Sequence, residues 1–415
     1  MGHARRRVEC RPTIGRTTLT LLATVIAFLV LGKLFPEPAR AGSVGWPNEV
    51  DEVYTVYVAT PQTGGSDENS GLSRTDPVAS MQGVQRVLQR GRPGTDVEVR
   101  IGPGTYAQPP LDAWRVYIPG HTISFLPWNY NIGEAAIDDS ERPVFRNTRC
   151  PQDAEADAST ERDGEFCEGS WFTARPPTEP SHAFYTGGDS GLRFYYLTIE
   201  RYSAGGISIR GDSERDVQNE KYDPPLRTPG VSLDRNVFQG LVIREIGNKW
   251  TGGHYGWGGI VLTGSSDNQI VDNTFERIEN RKSHEGYIHG VYVTHFSSHN
   301  RIRGNTFETI SGDPVKVRDR SDHNIFDGNE FIDAGALSYF RAEFCGKACA
   351  IEHNKAQECP SVGNRFAGNL LRGGYQGREI DLFSYSSGSY PTTEASACGP
   401  PSQKQLRTEG NKTGK

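Results

Sequence analysis

A pair of asparagines, five residues apart, recurs four times in the second half of the chain, each time with an apolar residue close behind it. The pairs are Asn268 and Asn273, Asn300 and Asn305, Asn324 and Asn329, and Asn364 and Asn369. Their first members lie 32, 24 and 40 residues apart, and a partial copy ends at Phe238. Recurrence of a compact unit with variable insertions is typical of solenoids, in which each repeat buries its apolar face against its neighbours. The pattern therefore predicts a solenoid.

The apolar residues of the repeats fall into three columns when the repeats are aligned on their first asparagine. The first column alternates with period two, as expected for a strand that turns every other side chain inward. Its members are Ile260 and Leu262, Val291 and Val293, and Val315 and Val317; Phe275, Phe307 and Phe331 form the second column, and Ile278 and Ile310 the third. Asparagine is expected at the bends because it tolerates the left-handed backbone conformation, and stacked copies can form an amide ladder. We therefore assign the asparagines a structural role.

The residues that follow Thr55 predict the start of such a solenoid. A strand, a loop rich in Gly, Asp and Ser, and Pro77 precede an amphipathic helix that Ser80 can cap. A short helix can cover the open end of a solenoid, where apolar residues and unpaired strand edges would otherwise face water. This order resembles the N-terminal start of the pectate-lyase-like right-handed parallel β-helix superfamily, and the resemblance covers roughly residues 55–385. It implies an all-β fold, a single-stranded right-handed parallel β-helix with a short N-terminal capping helix, which we place at residues 50–385.

The two ends of the chain are predicted to lie outside the β-helix. Arginines, an apolar run and an Ala-Arg-Ala sequence make residues 1–41 typical of a cleaved signal peptide. An uncleaved membrane anchor is the alternative, although the run is shorter than the ~20 apolar residues that a spanning helix prefers. We therefore expect a protein that is secreted, or anchored to the membrane by this segment alone. Residues 386–415 are expected to be mostly disordered, and 149–179 and 211–230 to be insertions that project from the rungs.

The charge of the chain limits its partners. A net charge of -6 and a pI near 6.0 give no general basic field, so nucleic acid is not an expected partner. The flat, linear outer surface of a β-helix suits an extended polymer, and an extracellular polysaccharide is the partner that we expect. The protein itself is expected to be a monomer.

The cysteines predict disulfides. Removal of residues 1–41 leaves six of the seven cysteines, an even number typical of an exported, disulfide-bonded chain. Cys150 and Cys167 are expected to pair with each other. The remaining four are expected to form two bridges whose connectivity stays open, and they are Cys345, Cys349, Cys359 and Cys398. Zinc binding at the closely spaced first two is the alternative, but no nearby pair of histidines supports it.

One outer face of the predicted β-helix carries the strongest signal for a site. The register turns Tyr292, Lys316 and Arg318 outward on neighbouring rungs, and six of the ten histidines fall between His254 and His323. Aromatic rings stack on sugars, while His, Lys, Arg and Tyr side chains transfer protons or bind carboxylates. The alternative is that each histidine, taken alone, is a turn or surface residue. We predict as catalytic residues His254, His289, Tyr292, Lys316 and Arg318, and as substrate-binding residues Trp250, Tyr255, Trp257 and Tyr287; the resemblance described next adds Arg341 as catalytic and Arg320 as substrate-binding.

A second resemblance suggests the chemistry. The segment that begins at Arg320, together with Arg341, resembles the catalytic region of the alginate and chondroitin B lyase family. That family has a basic Lys shortly before the rung asparagine and an Arg about one rung later; here the first position holds Arg320, with Lys316 four residues earlier. The resemblance implies β-elimination on a uronate polysaccharide, with Ca²⁺ as the candidate cofactor. The acidic metal-ligand pattern of the family is not evident, so the cofactor stays open.

Two other functions remain open from the sequence. A glycoside hydrolase needs convergent carboxylates, which Asp313, Asp319 and Asp322 could supply. The Ile-His-Gly sequence around His289 resembles the Gly-His-Gly of polygalacturonases, but the accompanying aspartate motifs are absent, and we place the hydrolase below the lyase. A non-catalytic carbohydrate-binding or cell-surface β-helix is the other alternative, since a fold does not imply a function.

Overall fold

The computed structural model describes residues 53–148, 168–176, 188–211, 232–353, 357–385, 398 and 406–414. The chain from Val50 to Lys415 clusters as one compact unit. The predicted signal segment, Cys150 and Cys167, and most of the two predicted insertions lie outside the described residues. Among the residues within these ranges, no helix is both long and apolar enough to cross a membrane.

Three parallel sheets account for most of the described strands. Sheet A contains, in spatial order, Tyr54–Val58, Val97–Ile101, Ile123–Pro127, Leu192–Tyr195, Val237–Gln239, Gln269–Val271, Arg301–Arg303, Ile325–Asp327, Asn364–Ala367 and Leu406–Glu409. Sheet B contains Gly104–Ala107, Pro143–Arg146, Thr198–Glu200, Val242–Ile246, Thr274–Ile278, Thr306–Ile310, Glu330–Ala334, Leu370–Arg372 and Lys412–Thr413. Sheet C contains Leu111–Trp114, Ser170–Ala174, Gly205–Arg210, Gly258–Thr263, His289–Thr294, Val315–Arg318, Ser338–Glu343 and Asp381–Tyr385. From Val97 onward the chain visits the three sheets in turn, so that each complete rung adds a strand to each sheet.

Helices and one further small sheet connect these strands. Within the described ranges, the α-helices are Met81–Gly91, Asn248–Thr251 and Lys347–Glu352, and the 3-10 helices are Pro61–Thr63, Asp139–Glu141, Lys282–Tyr287 and Tyr375–Gly377. Gly188–Asp189 pairs with Leu233–Asp234 in a two-stranded sheet. The predicted all-β, parallel β-helix is confirmed.

The inward columns match the sequence pattern. Val291 pairs in register with Val315 in sheet C, and both side chains are fully buried. In sheet B the ring of Phe307 stacks on Phe275 and on Phe331, with centroids 4.8 Å apart in each case. This distance is the spacing of neighbouring strands, so the rings form a continuous stack along the core. Burial of each such side chain stabilises the fold by about 1.5–3 kcal/mol.

The asparagines form two continuous ladders inside the bends. Oδ1 of Asn300 accepts hydrogen bonds from the backbone N–H and Nδ2 of Asn268, at 3.0 and 2.6 Å. Asn324 accepts from Asn300 in the same way, at 2.9 and 2.8 Å. The second ladder runs through Asn273, Asn305, Asn329, Asn369 and Asn411. The predicted structural role of the repeat is therefore confirmed.

The left-handed backbone lies at the residue before each asparagine rather than at the asparagine, which corrects the sequence-based expectation. Asp267, His299, His323 and Gly363 precede the first ladder with φ of 59°, 60°, 56° and 70°. None of the described ladder asparagines has a positive φ. The asparagine bonds the backbone and amide of a neighbouring rung, and in the first ladder Nδ2 of Asn324 also donates to the carbonyl of Ser321 in its own turn at 2.9 Å. The left-handed bend is therefore made by its neighbour, where Gly has no steric cost and Asp and His are tolerated.

The N-terminal helix Met81–Gly91 begins as predicted. Oγ of Ser80 accepts a hydrogen bond from the backbone N–H of Gly83 at 3.0 Å, and it donates to Asp67 at 2.5 Å. The buried residues of the helix join the core of the first rung, and they are Met81, Gly83, Val84, Val87 and Leu88. The helix is thus attached to the β-helix by the apolar face that its periodicity predicts.

Two predicted boundaries change. Ser170–Ala174, inside the predicted insertion 149–179, is a fully buried strand that pairs with Gly205–Arg210, because its aromatic side chains pack inward while charged residues flank it. Leu406–Glu409, inside the predicted tail, pairs with Asn364–Ala367. The β-helix therefore continues beyond residue 385. The exposed side chains of these last strands gave no apolar pattern to recognise.

The four described cysteines form two disulfides, as predicted. Cys345 is bonded to Cys349, and Cys359 to Cys398. The zinc alternative is wrong, because the sulfur atoms are bonded to each other. The backbone N–H of Cys359 also donates to Asp319 at 3.0 Å, which joins this segment to the edge of sheet C.

Candidate functional site

A cleft of about 290 Å³ opens on the outer face of sheet C. Its lining residues come from three strands of this sheet and from the two segments that precede strands Gly258–Thr263 and His289–Thr294. They are Tyr255, Trp257, Gly286, Tyr287, Tyr292, Lys316, Arg318, Arg341 and Glu343. We name it the sheet C cleft.

The floor of the cleft is a column of outward residues in register. Val261 pairs with Tyr292, Tyr292 with Lys316, and Lys316 with Arg341 on consecutive strands. The predicted outward direction of Tyr292 and Lys316 is confirmed. The predicted flat outer surface is not found at this position. Val261, Tyr292 and Lys316 are only 6 to 7% exposed, because the segments before the strands fold over them.

The register also corrects the match to the lyase motif. Lys316 and Arg341 are direct Cα partners on adjacent strands. Arg320, which occupies the matching position along the sequence, lies in a separate pocket with His299 and Asp322. Its guanidinium packs 4.3 Å from the ring centroid of Phe296. In the folded chain, therefore, Lys316 is the basic residue beside Arg341, whereas the linear motif assigns that position to Arg320.

Carboxylates pair with the cations of the floor. Nζ of Lys316 lies 2.7 Å from Glu343, and it also lies 5.2 Å from the ring centroid of Tyr292. Arg318 donates two hydrogen bonds to Glu358, at 2.7 and 2.6 Å. Burial opposes the charged form of Arg318, but the hydrogen bond to Glu358 and nearby negative charge raise its pKa above the usual range. Both cations are thus held in place.

Arg341 has the looser contacts. Nη1 lies 3.4 Å from Asp313, and Nε lies 3.5 Å from Glu343. Asp313 is fully buried, and its other oxygen accepts hydrogen bonds from the backbone N–H groups of Leu337 and Ser338, at 2.7 and 2.9 Å. Asp313 therefore positions Arg341 and the strand that carries it.

Glu343 is a cleft residue that the sequence analysis missed. Burial favours its neutral form, but Lys316, Arg318 and Arg341 together lower its pKa to about 2. It lies two positions after Arg341 in one strand, so strand alternation turns both outward. That alternation was the available signal. Glu358 has no such signal, because it reaches Arg318 from an irregular segment.

His289 lies beneath the floor rather than on it. Its side chain is 1% exposed, and Nδ1 lies 2.7 Å from the backbone carbonyl of Asp313. A carbonyl can only accept, so Nδ1 carries the hydrogen and Nε2 holds the lone pair, buried and without a hydrogen-bond partner. Burial, followed by the charge of Lys316, lowers the pKa of His289 well below its usual value. The imidazole is therefore neutral.

Aromatic rings form one wall of the cleft. The ring of Tyr255 contacts Trp257 and Tyr287, with centroids 5.1 and 5.4 Å apart. The imidazoles of His254 and His284 also contact Tyr255, at 4.1 and 4.6 Å. We name the three rings Tyr255, Trp257 and Tyr287 the aromatic wall. His254 is exposed and does not line the cleft.

Two of the predicted site residues lie elsewhere. Trp250 packs between cations of the sheet B side, 5.4 Å from Lys249 and 5.7 Å from Arg277, so it is not part of the cleft. The sequence analysis grouped it with its neighbours, but the short helix Asn248–Thr251 turns it away. Arg320 is the second, since it lies in the separate pocket with His299 and Asp322. The remaining nine predicted residues line the cleft or lie directly against its lining.

The described residues do not show a site for the Ca²⁺ implied by the resemblance. No group of three or more His, Cys, Asp or Glu side chains is placed to bind a metal ion within the described ranges. Glu343 and Glu358, the nearest acidic pair, are occupied by Lys316 and Arg318. No step is therefore assigned to a metal.

The match to a family model agrees with the fold. The family model described as the right handed beta helix region matches residues 182–371. No curated protein matches the chain. Similar solved structures include a rhamnogalacturonan lyase (16% identity, 86% of this chain and 68% of that chain, TM-score 0.38) and a pectate lyase (11%, 87% and 76%, 0.38). A lacto-N-biosidase from Eubacterium ramulus is also similar (12%, 87% and 67%, 0.33). At these identities and TM-scores the likeness to the solved structures carries no argument about activity.

Proposed function

We propose that this chain, whose residues 182–371 match the right handed beta helix region, cleaves an acidic, uronate-containing polysaccharide by β-elimination in the sheet C cleft. This reaction needs a cation that neutralises the uronate carboxylate, a base that removes the C5 proton and an acid that protonates the leaving oxygen. One observation carries the proposal. Tyr292, Lys316 and Arg341 lie in register on three consecutive strands and open into one cleft.

The contacts of each residue suggest its role. Arg341 is the proposed ligand of the carboxylate, because its 3.4 and 3.5 Å contacts are loose enough to rearrange around a substrate. Lys316 is the proposed proton donor, since its ammonium faces ionised Glu343 at 2.7 Å. Tyr292 is the proposed base, because it is the tyrosine of the floor that pairs in register with Lys316 and lines the same cleft.

In the proposed reaction the C5 proton moves to the oxygen of Tyr292 while a double bond forms between C4 and C5. The C4–O bond breaks, and the leaving oxygen takes a proton from Lys316. Water then carries one proton from Tyr292 to Lys316, which restores the phenolate that acts as the base and the ammonium that acts as the acid. His289 does not touch the substrate in this scheme. It is a neutral positioning residue, which leaves the cationic charge of the floor to Lys316, Arg318 and Arg341.

The test is to incubate the protein with alginate, pectate and glycosaminoglycans and to follow the ultraviolet absorbance of the unsaturated product. The Tyr292→Phe, Lys316→Gln and Arg341→Gln variants are each expected to lower kcat/KM by about 100-fold or more, the usual size of an acid–base or charge contribution. Arg303→Gln is the control, because Arg303 is exposed on sheet A and lies outside the cleft. Circular dichroism checks that each variant is folded.

The outcomes separate the three functions. Absence of unsaturated product from every uronate polymer would refute the lyase. Binding without product would support the second candidate, a non-catalytic carbohydrate-binding protein, which the ion pairs of the floor and the aromatic wall also favour. New reducing ends without unsaturation would support a hydrolase. That third candidate has less support, because a hydrolase needs two carboxylates, whereas Glu343 is the one carboxylate among the described lining residues.

A further inference from the structure

The aromatic wall is accessible and uncharged. Trp257 is 37% exposed and Tyr287 52%, which places them among the most exposed large apolar side chains that the structure describes. Both line the cleft next to its charged floor. Exposed rings that stand together at a cleft are a typical surface for the apolar face of a sugar ring.

The wall is held in place by the rungs beneath it. Asn280 donates to the carbonyl of His284 at 3.2 Å, and Oγ of Ser311 donates to the carbonyl of Glu285 at 2.9 Å. The carboxylate of Glu285 is in turn bound by Arg378 at 2.5 Å. The segment that carries Tyr287 is therefore ordered before any ligand binds, so stacking on it does not require a loop to be ordered.

The floor can accept few negative charges. Each of its cations contacts a carboxylate: Lys316 contacts Glu343, Arg318 contacts Glu358, and Arg341 contacts Asp313. Among the residues described around the cleft, the positive charges are thus matched by negative ones. Arg341, with the longest contacts, is the cation best able to turn to one substrate carboxylate. A second carboxylate on the adjoining sugar would face the aromatic wall, where the lining supplies no cation.

From this juxtaposition we propose that the ligand is an alternating heteropolysaccharide, in which a uronate on the charged floor is followed by an uncharged hexose or hexosamine on the aromatic wall. The inference rests on the proposed function for the location of the uronate. A homopolymer of uronates fits the cleft less well, because each consecutive sugar carries a carboxylate that must lose water beside an apolar ring.

The experiment compares polymers that share one uronate, one a homopolymer and the other an alternating heteropolymer. Polygalacturonate is compared with a rhamnogalacturonan backbone, and polyglucuronate with hyaluronan, which carries no sulfate. Initial rates of unsaturated product and the Kd of matched oligosaccharides, measured by calorimetry, are both determined. We expect the alternating member of at least one pair to be preferred by about tenfold or more in both measurements.

Variants of the wall test the cause of the preference. Trp257→Ala and Tyr287→Ala are each expected to weaken binding of the alternating polymer by about tenfold, the loss expected for one aromatic contact, with little change for the homopolymer. Ile132→Ala, an exposed apolar side chain distant in sequence from the cleft residues, is the control for loss of an exposed side chain. Equal loss on both polymers would overturn the inference.

The two proposals fail separately. Equal or better binding and cleavage of the homopolymers would overturn the alternating substrate and leave the lyase intact. Preferential binding of the alternating polymers without any unsaturated product would refute the lyase and support the alternating ligand.

Discussion

The substitution Asn305→Ala tests how much the asparagine ladder contributes to stability. Asn305 is 1% exposed and makes four hydrogen bonds through its amide. Oδ1 accepts from the backbone N–H and Nδ2 of Asn273, both at 2.9 Å, and Nδ2 donates to the carbonyl of Ile270 at 2.9 Å and to Asn329 at 3.0 Å.

The magnitude follows from these bonds. A hydrogen bond of this kind contributes about 0.5–1.5 kcal/mol net, and the four together give about 2–6 kcal/mol. The substitution also leaves the backbone N–H of Asn273 buried without its acceptor, which makes the lower end of that range too small. We therefore expect a loss of about 4 kcal/mol in the free energy of unfolding. Asn305→Leu restores most of the volume without the hydrogen bonds, and it is expected to lose a similar amount.

The assay is equilibrium unfolding in guanidinium chloride, followed by circular dichroism. The comparison requires equal m-values, because a solenoid that unfolds in parts does not yield a single free energy of unfolding. Asn131→Ala is the matched control. Asn131 is exposed; its side chain donates to Glu134 at 3.1 Å and accepts from Arg100 at 3.3 Å, and the loss of these exposed bonds is expected to stay within about 0.5 kcal/mol. A loss below about 1 kcal/mol in both Asn305 variants, at unchanged m, would refute the ladder as a main stabilising element.

Three further predictions concern the cleft and the cross-links. The pKa of His289 is lowered well below 6.5, so only the unfolded state binds this proton as the pH falls. In urea unfolding across pH, the free energy of unfolding of the wild type should therefore fall relative to that of His289→Gln by up to about 1.4 kcal/mol per pH unit below pH 6.5. The pKa of Glu343 is lowered from 4.5 to about 2, so the stability that its ionised form contributes is complete above pH 4.5 and is lost as the pH falls towards 2. Thermal unfolding should show Glu343→Gln to be less stable than the wild type by about 3 kcal/mol at pH 7, and this difference in stability should shrink in acid. Cys398→Ser opens a bridge between residues 39 positions apart and is expected to cost about 2–4 kcal/mol in the same assay; an unchanged unfolding temperature would contradict this.

The repeat was enough to predict the fold because its physical requirements are local and periodic. A buried amide ladder needs an asparagine in every rung, and the rings of Phe275, Phe307 and Phe331 must recur to fill the same layer. The bend was misread for a related reason. The asparagine marks it, but the left-handed residue is its neighbour, whose identity varies among Asp, His and Gly and so leaves no clear pattern.

The candidate site was partly predictable, since strand alternation placed Tyr292, Lys316 and Arg318 on one face. It could not reveal how the segments between strands fold. His254 and Trp250 lie close in sequence to the cleft residues, but the turn of one short helix and one exposed loop take both out of the lining.

The sequence by itself determined the β-helix, its register and the residues that its outer face could present, because each depends on residues at fixed spacing along one strand or one repeat. Only the tertiary structure decided that Lys316 rather than Arg320 lies beside Arg341, and that the cations are already paired. The burial that keeps His289 neutral and the grouping of the three rings of the aromatic wall are likewise decided by the tertiary structure alone. The physical reason is that register stacks residues separated by whole rungs, and their charges and burial depend on neighbours that the linear order does not bring together.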